Sequence, residues 1–97
     1  MTRDEAVARL RALGRNAHAR DWSLGETIAI TIGEPSTAVG DIQVYPGVVY
    51  LYPSGDGTWS LLDLNAPGSA KRYDDLESAV QDAHEYVDRS ERERTEQ

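Results

Sequence analysis

Two histidines and a surplus of acids, 17 against ten basic residues, bound the chemistry open to this 97-residue chain. A histidine serves as a metal ligand or general base only where carboxylates or other histidines converge on it. His84 and Asp88 are one helical turn apart, enough for two ligands, but a histidine hydrogen-bonded at the edge of a sheet accounts for His84 better. His18 falls near the end of the first predicted helix, where the helix dipole favours a cation. Asp74 and Asp75 are adjacent carboxylates whose types and place suit a helix cap. Asp41, Asp56 and Asp63 lack calcium-loop spacing. Gly33, Gly40, Gly55 and Gly57 form no phosphate-binding fingerprint. Ser54, Ser60 and Ser69 sit in no nucleophile-elbow context. With no cysteine there is neither a disulfide framework nor a thiolate metal site. The residues predict no metal, no cofactor and no enzyme.

The segment that would position a surface is Asp41 to Leu64. Its three runs, 41–45, 48–52 and 58–64, read as strands of an antiparallel meander. Gly55-Asp56-Gly57 is the strongest hairpin signal, because glycine supplies the positive φ of a tight turn. Pro46-Gly47 reads as a second hairpin tip or a bend within one long strand, with the hairpin preferred. Taking Asp63 as a residue that faces water puts Leu62, Leu64, Val49, Leu51, Ile42 and Val44 inward. The outer face then carries Tyr45, Tyr50, Tyr52, Trp59 and Leu61. Aromatic rings on a sheet suit protein recognition, since they bury much area with little loss of rotamer freedom.

Around this meander, Thr2-Arg3-Asp4-Glu5 fits a capping box. Ala6, Leu10, Leu13 and Ala17 keep helical phase, which predicts a helix to about Ala19 despite Gly14. Glu26–Ile32 alternates, with Ile28, Ile30 and Ile32 inward and Thr27, Ala29 and Thr31 outward. Residues 33–40 form a loop. Asp74 and Asp75 open a second helix whose apolar stripe is Leu76, Ala79, Val80, Ala83 and Val87, flanked by His84 and Tyr86. The expected fold is α+β, in the order α-β-β-β-β-α: a two-layer sandwich of a four-stranded antiparallel sheet with two helices on one face. Residues 1–88 form one domain and residues 89–97 a charged tail, either a fraying helix end or disordered.

The net charge of −7 is unevenly spread. Residues 1–20 carry five arginines against Asp4 and Glu5, whereas residues 21–88 carry twelve acids against Lys71 and Arg72. The two helices side by side would bring some of this asymmetry inside the molecule. The acidic body disfavours nucleic acid, whose phosphates need Lys and Arg. No apolar run approaches the roughly 20 residues of a membrane span, and no apolar segment follows the N-terminus, so a cytoplasmic protein is expected.

Gly57-Thr-Trp-Ser-Leu-Leu-Asp-Leu64 and Tyr73-Asp-Asp-Leu-Glu-Ser-Ala-Val80 resemble phrases of many small bacterial α+β proteins, including immunity proteins of toxin systems. They mark a strand entering a hairpin and a capped helix, and they bring no site residues with them. The leading expectation is a non-catalytic domain, immunity-like or regulatory, that engages a basic protein partner through the aromatic face. The alternatives are a small-molecule binder or enzyme with a site near His84 and the 33–40 loop, and a self-associating module using the aromatic face.

Overall fold

The computed structural model describes residues 1–22, 25–33, 36–37, 40, 43–63, 66 and 70–95. Helix α1 (Arg3–Ala12) begins with the capping box: the Thr2 hydroxyl accepts from the Glu5 N–H at 3.2 Å, and the Thr2 N–H donates to Glu5 Oε1 at 3.1 Å. It ends at Leu13, one residue before Gly14, whose φ of +87° is the left-handed conformation that closes a helix. The Gly14 N–H bonds Arg11 O and the Arg15 N–H bonds Leu10 O, which satisfies the last carbonyls. The expected extension to Ala19 is therefore corrected. Ala17 is fully buried, as its phase suggested, but it is buried from a strand.

That strand, β1 (Asn16–Trp22), forms a hairpin with β2 (Gly25–Ile32). A side excursion holds the two-residue strands β3 (Ser36–Thr37) and β4 (Gln43–Val44), which pair only with each other. The chain then continues as β5 (Gly47–Gly55), β6 (Thr58–Asp63) and β7 (Lys71–Tyr73), and ends in helix α2 (Leu76–Thr95). The main sheet is antiparallel, in the order β1-β2-β5-β6-β7. It has five strands where four were expected, with β1 and β7 gained and the 41–45 run lost to the excursion. Pro46-Gly47 is not a hairpin tip, since Gly47 pairs with Ile32 of β2. The Gly55-Asp56-Gly57 turn is as expected: Asp56 and Gly57 both have positive φ, 39° and 81°, as a tight hairpin between β5 and β6 requires.

Both helices pack on one face of this sheet. Leu10, Ala6 and Val7 of α1 and Leu76, Ala79, Val80, Ala83 and Val87 of α2 meet Ile28, Ile30, Ile32, Val49, Leu51 and Leu61 in one core. The second helix is capped by Asp75, whose Oδ1 accepts from the Ser78 N–H at 2.7 Å. This N–H also holds the Asp75 carboxyl below the usual aspartate range. The helix does not stop at Asp88. It runs through most of the charged segment to Thr95, carried by the i,i+4 pair Arg92–Asp88 at 3.0 Å and by contacts of Arg15 described below.

Candidate functional site

Cross-strand partners share a face of a sheet, so the register decides which side chains the helices cover. Val49 pairs with Asp63, Leu51 with Leu61 and Pro53 with Trp59. Hence Trp59, Leu61 and Asp63 point toward the helices. Leu61 is 2% exposed and Trp59 packs against the core. This corrects the expected facing of β6: Leu62 is on the open side, and Leu64 lies outside the described residues, as does Ile42. The residue taken as a marker of water is the one that misleads. Asp63 is buried, and its carboxylate accepts a hydrogen bond from the Tyr86 hydroxyl of α2 at 2.6 Å. A buried carboxylate is tolerated where donors reach it, and the donor is 23 residues away in sequence.

The open face is built from the alternate residues. It carries Asn16, His18 and Arg20 on β1, Thr27, Ala29 and Thr31 on β2, Val48, Tyr50 and Tyr52 on β5, Ser60 and Leu62 on β6, and Arg72 on β7. Of the five aromatic-face residues read from sequence, Tyr50 and Tyr52 stand here and Tyr45 lies beside them. Trp59 and Leu61 do not. Nor does Tyr50 stand proud of the surface: it is 5% exposed, with its hydroxyl accepting from Arg20 Nη1 at 3.3 Å. Tyr45 is half-buried and accepts from Asn16 Nδ2 at 2.9 Å.

A hollow of about 440 Å³ opens on this face, lined by His18, Arg20, Ala29, Thr31, Tyr45 and Val48 among others. A second, of about 230 Å³, adjoins it across Thr31 and Tyr45 and reaches Arg15, Asn16 and Glu91. Among the described strand residues no carboxylate stands on the open face: Asp21, Glu26 and Asp63 alternate to the helix side. An acidic chain thus presents histidine, arginine, tyrosine and small polar side chains on its helix-free surface.

The remaining chemistry-bearing residues sit on the helix side. Arg15, in the turn between α1 and β1, donates from Nε to His84 Nδ1 at 3.0 Å, from Nη2 to Asp88 at 3.3 Å, and from Nη1 to Glu91. His84 and Asp88 thus meet through an arginine. The Tyr73 hydroxyl donates to Asp82, which also accepts from Lys71 Nζ at 3.2 Å. The tyrosine hydrogen bond, then Lys71, holds the Asp82 carboxyl below its usual range. Burial, reinforced by Asp82, raises the Tyr73 phenol. A groove of about 570 Å³ runs beside these groups, with Glu77, Gln81 and Glu85 along it. Among the described residues no three histidine or acidic side chains gather to hold a metal ion, and no helix is long and apolar enough to cross a membrane.

Sequence reasoning missed His18 and Arg20 as face residues because Ala17 kept helical phase, which extended the helix to about Ala19 and left no strand before Glu26. It missed Arg15 as well, whose only sequence signal was an arginine just after the helix-ending glycine. No protein-family model, no curated protein and no solved structure matches the chain.

Proposed function

We propose that the chain is a non-catalytic protein-binding module that receives its partner on the helix-free face of the sheet. The observation that carries this reading is the hollow lined by His18, Arg20, Ala29, Thr31, Tyr45 and Val48, on a five-stranded surface that neither helix covers. Sheet faces with rigid aromatic side chains and a shallow apolar recess suit side chains of another protein. The groups with catalytic potential have structural partners: His84 with Arg15, Asp82 with Tyr73 and Lys71, Asp63 with Tyr86.

The charge layout revises the partner's chemistry. The paired acids are on the helix side, whereas the described strand residues of the open face include His18, Arg20 and Arg72 and no carboxylate. A partner docking there presents a neutral or acidic segment with an apolar or aromatic side chain for the hollow, in place of the basic partner that net charge alone suggests. A regulatory or immunity-type role fits a module that acts by occupying another protein.

Peptide-display selection on the folded protein, followed by amide-shift mapping with the most enriched peptide, tests this reading. The expected result is enrichment of acidic and aromatic residues, with shifts centred on His18, Ala29, Thr31 and Val48. Val48→Asp should weaken that peptide by about tenfold or more, equivalent to about 1.4 kcal/mol. Shifts confined to α2 would overturn it.

A further inference from the structure

We infer that Arg15 and His84 form a proton-controlled latch, in which protonation of His84 loosens the α1–β1 turn from α2 and reshapes the hollow beside Tyr45. The geometry dictates the direction. A guanidinium has only donors, so Arg15 Nε, 3.0 Å from His84 Nδ1, requires that nitrogen to be an acceptor. The ring is then neutral, with its proton on Nε2. When the ring takes up a second proton, Nδ1 becomes a donor. The hydrogen bond is lost, and two cationic groups face each other at contact distance.

Arg15 is placed to transmit that change. Its side chain is only 12% exposed, and it is the bridge from the α1–β1 turn to the middle and end of α2. The charged group in contact with the ring is Arg15; on α2 Asp88 and Glu91 hold the same guanidinium, Arg92 pairs with Asp88, and Glu85 follows His84 in the chain. On the other elements packed on α2, Arg9 of α1 reaches Glu77, Arg11 of α1 donates to the Ala17 carbonyl of β1, Lys71 of β7 reaches Asp82, and Asp63 of β6 accepts from Tyr86. Asp88 and Glu91 keep a hold on the guanidinium after protonation, so the turn shifts without unfolding. Arg15, Asn16 and Glu91 line the smaller hollow, which shares Thr31 and Tyr45 with the larger one. Histidine is the side chain whose ordinary titration, near about pH 6.5, falls in the range cells use as a signal.

The consequence for partner binding rests on the docking reading; the latch itself does not, and its test needs no partner. The test is an NMR titration from about pH 8 to about pH 4.5, a span that brackets ordinary histidine titration. It follows the His84 ring and the Gly14 and Arg15 amides in the full chain. In the wild type the two amides should follow the ring with a common midpoint. Their response should vanish in His84→Gln, whose amide oxygen still accepts from Arg15, and persist in His18→Gln. The latch is overturned if the His84 ring does not titrate over this span, if it titrates while the two amides stay still, or if their response survives in His84→Gln. Failure of the docking reading would instead appear only in the peptide mapping.

Discussion

On the helix-covered side of the sheet, charges come in partnered sets: Arg3 with Asp21, Arg9 with Glu77, Arg15 with Asp88 and Glu91, Lys71 with Asp82. On the helix-free side the described strand residues bear His18, Arg20 and Arg72, set among tyrosines, threonines and alanine. The comparison teaches that net charge is a poor guide to what a surface of this protein would bind. Asp21 of β1 and Glu77, Asp88 and Glu91 of α2 answer arginines of the basic N-terminal segment, and the last three join α1 and its turn to α2. Among the described strand residues, the open face carries cationic and neutral side chains where the whole chain is acidic.

The two sides should respond differently to mutation. The largest effect is expected in the helix-side core. Leu10→Ala removes a fully buried side chain between α1 and the sheet, and it should cost about 2–5 kcal/mol in urea unfolding. Val48→Ala on the open face should cost under about 1.5 kcal/mol by the same assay. Comparable losses would mean that the open face is covered as the other face is.

A smaller effect is expected at the ionic bridge. Arg15→Gln should cost about 1 kcal/mol, because the arginine is mostly buried while its partners Asp88 and Glu91 are 45% and 41% exposed and screened by water. That loss should shrink in about 1 M salt, where the screening length falls to about 3 Å. An undiminished loss at high salt would show that Arg15 acts mainly through packing of its stem.

The smallest effect concerns Tyr73→Phe, which deletes the hydroxyl that Asp82 accepts from. A carboxyl whose folded pKa is depressed adds stability above its unfolded value, about 3.9 for aspartate, and loses it as pH falls through the folded value. The wild type should therefore exceed Tyr73→Phe by less than about 1 kcal/mol near neutral pH, given solvent screening at Asp82. The gap should close in acid below about pH 4. A gap that widens in acid would reverse the assigned direction.

Where local rules dominate, the sequence was readable. The capping box at Thr2, the acid-capped start of α2 (at Asp75, one residue after Asp74), the Asp56-Gly57 turn, the β2 alternation and the α2 stripe are each set within a few residues. What was lost depended on distant partners. Ala17 satisfies helical and strand phase alike, so only Gly14 distinguished them, and Gly14 prevailed because its positive φ closes the helix. Asp63 looked solvated until Tyr86, from another element, supplied its donor, and with it β6 turned over and took Trp59 and Leu61 to the core. Because strand faces alternate, that one misassigned carboxylate inverted every side chain of the strand. Of the expected aromatic surface, Tyr45, Tyr50 and Tyr52 remain at or beside the open face, joined by His18 and Arg20 of the strand that the extended helix displaced.

The separation of the two faces is tested most directly by measuring urea unfolding free energies of Trp59→Ala and Tyr52→Ala side by side. Trp59 packs on the core under the helices and Tyr52 stands half-buried on the open face. Trp59→Ala should cost at least about 2 kcal/mol, and Tyr52→Ala under about 1 kcal/mol. Equal losses, or a larger loss at Tyr52, would contradict the assignment of the two faces.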